Sequence, residues 1–195
     1  MNFQVSLIST LFTLFLLTSC QSNITSESGF RNLLNGKDLS GWCYREKKTL
    51  HKLDTFDGRI HSSDKRFSYD DGKLIVHPGK GINQIWTQEE FGTDFILKLE
   101  FRAAVNADSG IFIRGPQLQC RDYPVAGPDA YKNLKKYKAQ DWNEIVVIVK
   151  GNQATCTCNG EALEFTRKLP DSGPIGLEAD RDQMEYRNVR IMVTR

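Results

Sequence analysis

From residue 72 onward the hydrophobic pattern has a period of two and recurs in short runs. Residues 94–102 (DFILKLEFR) show it most clearly. Phe95, Leu97, Leu99 and Phe101 fall on one face, and Ile96, Lys98, Glu100 and Arg102 on the other. Such alternation predicts a strand with one buried and one wetter face. Runs at 72–77, 84–87, 109–114, 117–120, 154–158, 175–178 and 186–193 predict further strands. Residues 144–150 (EIVVIVK) are apolar on both faces, as in a central strand. Asp70-Asp71-Gly72 supplies turn chemistry, and Gly151-Asn152 predicts a two-residue hairpin turn. No long stretch has a helical period; 130–137 (AYKNLKKY) allows one short helical turn. Many short strands separated by turns predict an all-β sandwich or jelly roll. The segments 43–70 and 121–141 are polar and poorly periodic, and they read as long loops of the kind that often bind ligands.

The N-terminus follows a different logic. Residues 5–17 are uncharged and largely apolar. They are too few to span a bilayer, which takes about 20 residues, and they match the core of a secretory signal. Leu17-Thr18-Ser19-Cys20 resembles the bacterial lipobox, which makes Cys20 the expected lipidation site. The expected organisation is a signal peptide over 1–19, a Ser/Thr/Asn-rich tether over 20–28 and one domain over 29–195. The expected location is the bacterial cell envelope, periplasm or outer membrane, with the membrane reached through the lipid on Cys20.

Composition narrows the function classes. The chain has 195 residues, a formal net charge of +2, 39% hydrophobic and 26% charged residues. This is globular composition for a single domain and excludes collagen-like and wholly disordered chains. Near-neutral charge argues against a nucleic-acid partner. Beyond Cys20 four cysteines remain: Cys43, Cys120, Cys156 and Cys158. An even number suits disulfides in an oxidising compartment. Cys156 and Cys158 point the same way along a strand, with Cα atoms about 6.6 Å apart, so bridges would run from this pair to Cys43 or Cys120. Four buried thiols are the alternative.

The sequence holds no G-x-S-x-G, H-E-x-x-H or Walker motif, and His51, His61 and His77 lie at no ligand spacing. Polar side chains on sheet faces are the remaining candidates. Lys98, Glu100 and Arg102 share one face; Phe112 and Arg114 share another; Gln117, Gln119 and Arg121 share a third. Trp86 and Phe112 offer an aromatic floor for a sugar ring, and 117–123 is dense in planar hydrogen-bonding groups suited to hydroxyls.

At these residues the chain resembles the 3-keto-disaccharide hydrolase domain family, also called the 3-keto-glucoside 1,2-lyase/3-keto-2-hydroxy-glucal hydratase domain. The matching segments include Asn35-Gly36-Lys37-Asp38-Leu39-Ser40-Gly41-Trp42, Leu99-Glu100-Phe101-Arg102, 106–115 (NADSGIFIRG), Trp142-Asn143, Asn159-Gly160, 173–177 (GPIGL) and 185–191 (EYRNVRI). They span about residues 29–195.

The resemblance implies a concanavalin-A-like jelly roll of two curved antiparallel sheets, with a site on the concave face. It implies glycosides already oxidised at carbon 3 as substrates. A ketone there acidifies the carbon-2 proton; a base removes it, the aglycone leaves carbon 1, and water adds to the enone. Carried over, Glu100 is the expected base and Arg114 the expected enolate or hydroxyl clamp. The expected substrate-binding residues are Gln117, Gln119, Arg121, Asp122, Lys98, Arg102, Phe112, Lys135 and Glu178. Gln119 matches the Gln of the family's Tyr-Glu-x-Gln segment, whereas Pro116-Gln117 stands where that segment has Tyr-Glu. A divalent cation, where used, would draw on Glu100, Asp122 and Gln119. The alternative function is a non-catalytic carbohydrate-binding envelope lipoprotein.

Overall fold

The computed structural model describes residues 27–194. The signal peptide, Cys20 and most of the tether lie outside the described residues. Among those described, no helix is long and apolar enough to cross a membrane.

Among the described residues, fourteen strands are arranged in two antiparallel sheets. The first sheet contains β1 (Arg31–Asn32), β4 (Phe67–Asp70), β5 (Lys73–Val76), β7 (Phe95–Ala103), β10 (Asn143–Lys150), β11 (Gln153–Cys158), β12 (Glu161–Leu163) and β14 (Met184–Val193). Its order is β12-β11-β10-β7-β14-β5-β4, with β1 added to β14. The second contains β2 (Trp42–Arg45), β3 (Lys52–Thr55), β6 (Asn83–Thr87), β8 (Asp108–Ile113), β9 (Gln117–Arg121) and β13 (Ile175–Ala179), in the order β3-β2-β6-β13-β8-β9. One helical turn, α1 (Asp129–Lys132), interrupts the long β9–β10 loop. The architecture is the all-β jelly-roll sandwich that the alternation predicts.

Strand β7 shows why the layers form. Phe95, Leu97, Leu99 and Phe101 are fully buried, while the residues between them are half-exposed. Facing them are Ile111, Ile113 and Leu118 of the second sheet, and Ile145, Val147, Tyr186 and Ile191 flank them in their own. Burying a side chain of this size contributes about 1.5–3 kcal/mol, so the alternation fixes strand register. A polar rivet crosses this core. Ser109 Oγ lies 2.6 Å from the carbonyl of Glu178 and 2.7 Å from the Tyr186 hydroxyl, which ties β13 to β14 of the opposite sheet.

Two expectations need correction, and the open choice at the cysteines is decided. The segment 43–70 is not one loop: it carries most of β2 and all of β3 and β4, whose registers come from partners rather than from internal periodicity. Strand β10 is interior to its sheet but buried on one face only, with Ile148 exposed on the other. The four described cysteines are free thiols. Cys43 belongs to the outer face of the second sheet, whereas Cys120, Cys156 and Cys158 face the core, so the sheet separates Cys43 from the pair. Burial pushes the Cys156 and Cys158 thiols up to about 12, which keeps them protonated and unreactive.

Candidate functional site

The outer face of the second sheet gathers a continuous set of polar and aromatic side chains. Strand β9 presents Gln117, Gln119 and Arg121, alternating with core residues Leu118 and Cys120. Strand β8 contributes Asp108, Gly110 and Phe112; β13 contributes Gly176 and Glu178; β6 contributes Gln84 and Trp86; β2 contributes Cys43. The period of two that sends Ile111, Leu118 and Leu177 inward sends these residues outward.

Two glycines shape this face. A Cβ on Gly176 would stand 2.6 Å from the Trp86 ring, so the indole lies flat across β13. Trp86 then meets Phe112 with ring centroids 5.0 Å apart, over Cys43 and beside Leu50. A Cβ on Gly110 would stand 2.0 Å from Gln117 Nε2. The bare backbone at 110 therefore lets Gln117 reach across β8 toward β13. Its Nε2 donates to Glu178 Oε2 over 2.6 Å. Gln119 Nε2 donates to Gln117 Oε1 over 3.2 Å, and Arg121 Nε to Gln119 Oε1 over 2.5 Å. From the other side, Gln84 Nε2 approaches Glu178 Oε1 at 3.4 Å.

Glu178 is the central acid of this face and is 7% exposed. Burial raises its pKa; the amide donors of Gln84 and Gln117 oppose that shift, and the charges of Asp180 and Asp108 add to it. Asp108 sits in a different balance, paired with Arg121 at 2.7 Å and Arg181 at 2.5 Å. One face thus holds a carboxyl of heightened basicity, a guanidinium and a row of amides, beside an aromatic pair that is itself buried, Trp86 being 3% and Phe112 8% exposed.

The expected site residues are divided by the fold. Phe112, Gln117, Gln119, Arg121 and Glu178 come together on this face. Lys98, Glu100 and Arg102 sit on the outer face of the first sheet, beyond the core. There Glu100 accepts from Arg187 Nε at 2.6 Å and from Asn188 Nδ2 at 2.9 Å; Lys98 pairs with Glu27, and Arg102 with Glu185.

Arg114 joins neither set, which corrects the expectation that it shares a face with Phe112. Its φ of +52°, followed by +117° at Gly115, makes the tight turn between β8 and β9 and rotates its side chain off the sheet. The guanidinium is buried at one end of the sandwich. It donates to the carbonyls of Gly151, Pro170 and Thr93 at 3.0, 3.3 and 2.5 Å and lies 5.3 Å from the Phe95 ring centroid. Phe95 faces the core, and Glu100 lies on the opposite side of the same strand, five residues or about 16 Å further along. The paired Glu100–Arg114 site is therefore not formed.

Asp122 is also interior, accepting from the Asn106 N–H at 3.2 Å and the Tyr137 hydroxyl at 3.4 Å. Lys135 is exposed on the β9–β10 loop, its backbone N–H held by Glu161. Glu100, Asp122 and Gln119 thus occupy three separate regions and do not fit a shared cation. Among the described residues no group of three His, Cys, Asp or Glu side chains converges on a metal position. The sequence reading missed Gln84, Asp108 and Arg181. Alternation with Trp86 and Phe112 was the available signal for the first two.

The family model for the 3-keto-alpha-glucoside-1,2-lyase-like domain matches residues 29–192, and the chain belongs to that family. Among solved structures, a candidate glycosyl hydrolase from Parabacteroides distasonis superposes with a TM-score of 0.67 at 16% identity, covering 86% of this chain and 94% of that one. A second from the same organism gives a TM-score of 0.53 at 18% identity, covering 69% and 93%. At these identities the likeness is one of fold. Among curated proteins no match is found.

Proposed function

We propose that the outer face of the second sheet binds a glycoside oxidised at carbon 3 and cleaves it by elimination and hydration, with Glu178 as the base. The observation that carries this reading is the 2.6 Å contact between Gln117 and Glu178. Where the family segment has Glu, this chain has Gln117, whose amide is hydrogen-bonded to the Glu178 carboxylate of β13. Family membership supports the substrate class, and the basic, buried character of Glu178 supports its role.

The substrate hydroxyls bond Gln84, Gln117 and Gln119, while the buried Trp86–Phe112 pair supports the strands that carry them. Glu178 takes the proton from carbon 2, and the electron pair moves onto the carbon-3 oxygen. Arg121, a cation of this face, stabilises the resulting enolate. As the ketone re-forms, the pair between carbons 2 and 3 becomes the carbon 1–carbon 2 double bond. The aglycone oxygen departs with its bonding pair and is protonated. Water then adds to carbon 1 while carbon 2 regains a proton, so the net reaction is hydrolysis. No oxocarbenium ion forms, so the paired carboxylates of an ordinary glycosidase are not required.

The test is to give purified protein a 3-keto-glucoside and follow the 2-hydroxy-glucal intermediate and released aglycone. Turnover that Glu178→Gln abolishes supports the reading. Absence of turnover in the wild type, with sugar binding intact, leaves the carbohydrate-binding alternative in its place. In the same reading Cys20 carries the lipid that holds the domain at the envelope; radiolabelled palmitate incorporation lost in Cys20→Ala tests it.

A further inference from the structure

We infer that the outer face of the first sheet is a second saccharide site, separate from the proposed catalytic face, and that it takes an oligosaccharide bearing a carboxylate or sulfate. The central feature is a cavity of about 530 Å³ lined by Asp71, Gly72, Lys73, Arg102, Trp142, Arg187 and Asn188. It does not stand alone. A depression of about 210 Å³ shares Arg102 with it, and one of about 260 Å³ shares Gly72 and Asn188. The three adjoin through these shared residues, and together they cover more surface than a bare anion needs.

The chemistry of this surface changes along its length. In the middle, Trp142 is packed against two guanidinium groups, Arg187 at 4.0 Å and Arg102 at 4.9 Å from its ring centroid. Each arginine is braced from behind by a carboxylate. Arg187 Nε donates to Glu100, and Arg102 Nε and Nη2 donate to Glu185. The braces are 22% and 10% exposed, whereas both arginine side chains are 39% exposed. Among the described residues, neither Nη of Arg187, nor Nη1 of Arg102, nor Nζ of Lys73 has a hydrogen-bond partner. Stacking and bracing fix the forks, so little freedom is lost when they grip a planar or tetrahedral anion. At the Asn188 end, the lining turns to the amides of Asn188 and Asn32 and the Tyr69 ring, which suit neutral sugar hydroxyls. The cations in the middle and the amides beyond them specify a charged unit joined to an uncharged one.

This site explains what Glu100 and Arg102 do without the catalytic role expected of Glu100. The carboxylate orients Arg187 and Asn188 and is a positioning residue. The inference does not depend on which reaction the opposite face performs.

The experiment is calorimetric titration of the full chain with three tetrasaccharides of equal length. One alternates glucuronate with N-acetylglucosamine, one carries sulfate esters, and one is neutral cellotetraose; inorganic sulfate is the fourth probe. At least one anionic tetrasaccharide is expected to bind about tenfold or more tighter than the neutral one, with affinity falling as salt rises. The preferred partner distinguishes carboxylate from sulfate. Lys73→Ala and Arg102→Gln are expected to weaken that binding about fivefold or more, while Glu178→Gln leaves it unchanged. Lys73→Ala should also leave turnover of a 3-keto-glucoside intact, which separates failure here from failure on the other face. Equal binding of the neutral chain, equal binding of inorganic sulfate alone, no binding of either anionic chain, or binding lost in Glu178→Gln but kept in Lys73→Ala would each overturn the inference.

Discussion

Gln117 Nε2 donates to Glu178 Oε2 across the bare backbone of Gly110, joining two side chains whose strands are separated by a third. The acid and the amide form one unit, so they should respond to exchange as one. Glu178→Gln is expected to lower kcat about a thousandfold, the usual scale for a lost general base. Gln117→Glu alone places two carboxyls within hydrogen-bonding range and drives one pKa upward, moving the pH–rate profile to higher pH. The exchanged pair, Gln117→Glu with Glu178→Gln, is expected to recover most of the activity. Steady-state kinetics on the three variants checks this, and an inactive exchanged pair would mean that the position of the acid matters, not only its presence.

Burial holds the Glu178 carboxyl above its ordinary range. A base works ionised, so the acidic limb of kcat/KM should fall at a pH above that of an ordinary glutamate. Stability moves the other way. A carboxyl whose folded pKa is raised adds stability below its unfolded pKa, and that contribution disappears as pH rises through the folded value. Glu178→Gln should therefore raise Tm at neutral pH and leave it nearly unchanged in acid. Thermal scans of both proteins across pH test the sign.

Arg114 fastens three loop carbonyls at one end of the sandwich. Arg114→Met leaves those carbonyls without their donors and is expected to cost about 3 kcal/mol. For a domain of this size that lowers Tm by about 6–12 °C. Turnover per folded molecule should be unchanged, because the guanidinium does not reach the proposed catalytic face. A large loss of kcat with an unchanged Tm would restore Arg114 to a chemical role.

The packing of Trp86 depends on the missing side chain at Gly176. Gly176→Ala forces the indole to tilt away from a Cβ that would stand 2.6 Å from it. Overpacking of this kind costs about 1–3 kcal/mol, which is expected to lower Tm by about 2–12 °C in a thermal scan.

Much of the fold was legible because burial on one side of a sheet writes itself into the chain as alternation. Strands β5 to β11, β13 and β14 follow from it within a residue or two. Strands β2 to β4 escaped because four-residue segments such as Lys52–Thr55 carry too few positions to show a period, and their pairing comes from neighbours. The site was legible in its parts but not in their grouping. Gln117, Gln119 and Arg121 were correctly placed on one face, since strand parity is local. That Glu178 joins them, and that Glu100 does not, depends on which sheet each strand enters, which alternation does not encode. Arg114 misled for a backbone reason: parity holds only while φ stays extended, and at +52° the chain has already turned.

Sixty-one positions of sequence separate Gln117 from Glu178. A consensus written along β9 alone finds an amide and scores the acid as missing. In a sheet, a functional group can be handed to a neighbouring column with no rebuilding of the scaffold, provided a small residue keeps the passage between them open. An inventory of such a domain is better taken across the strands than along them.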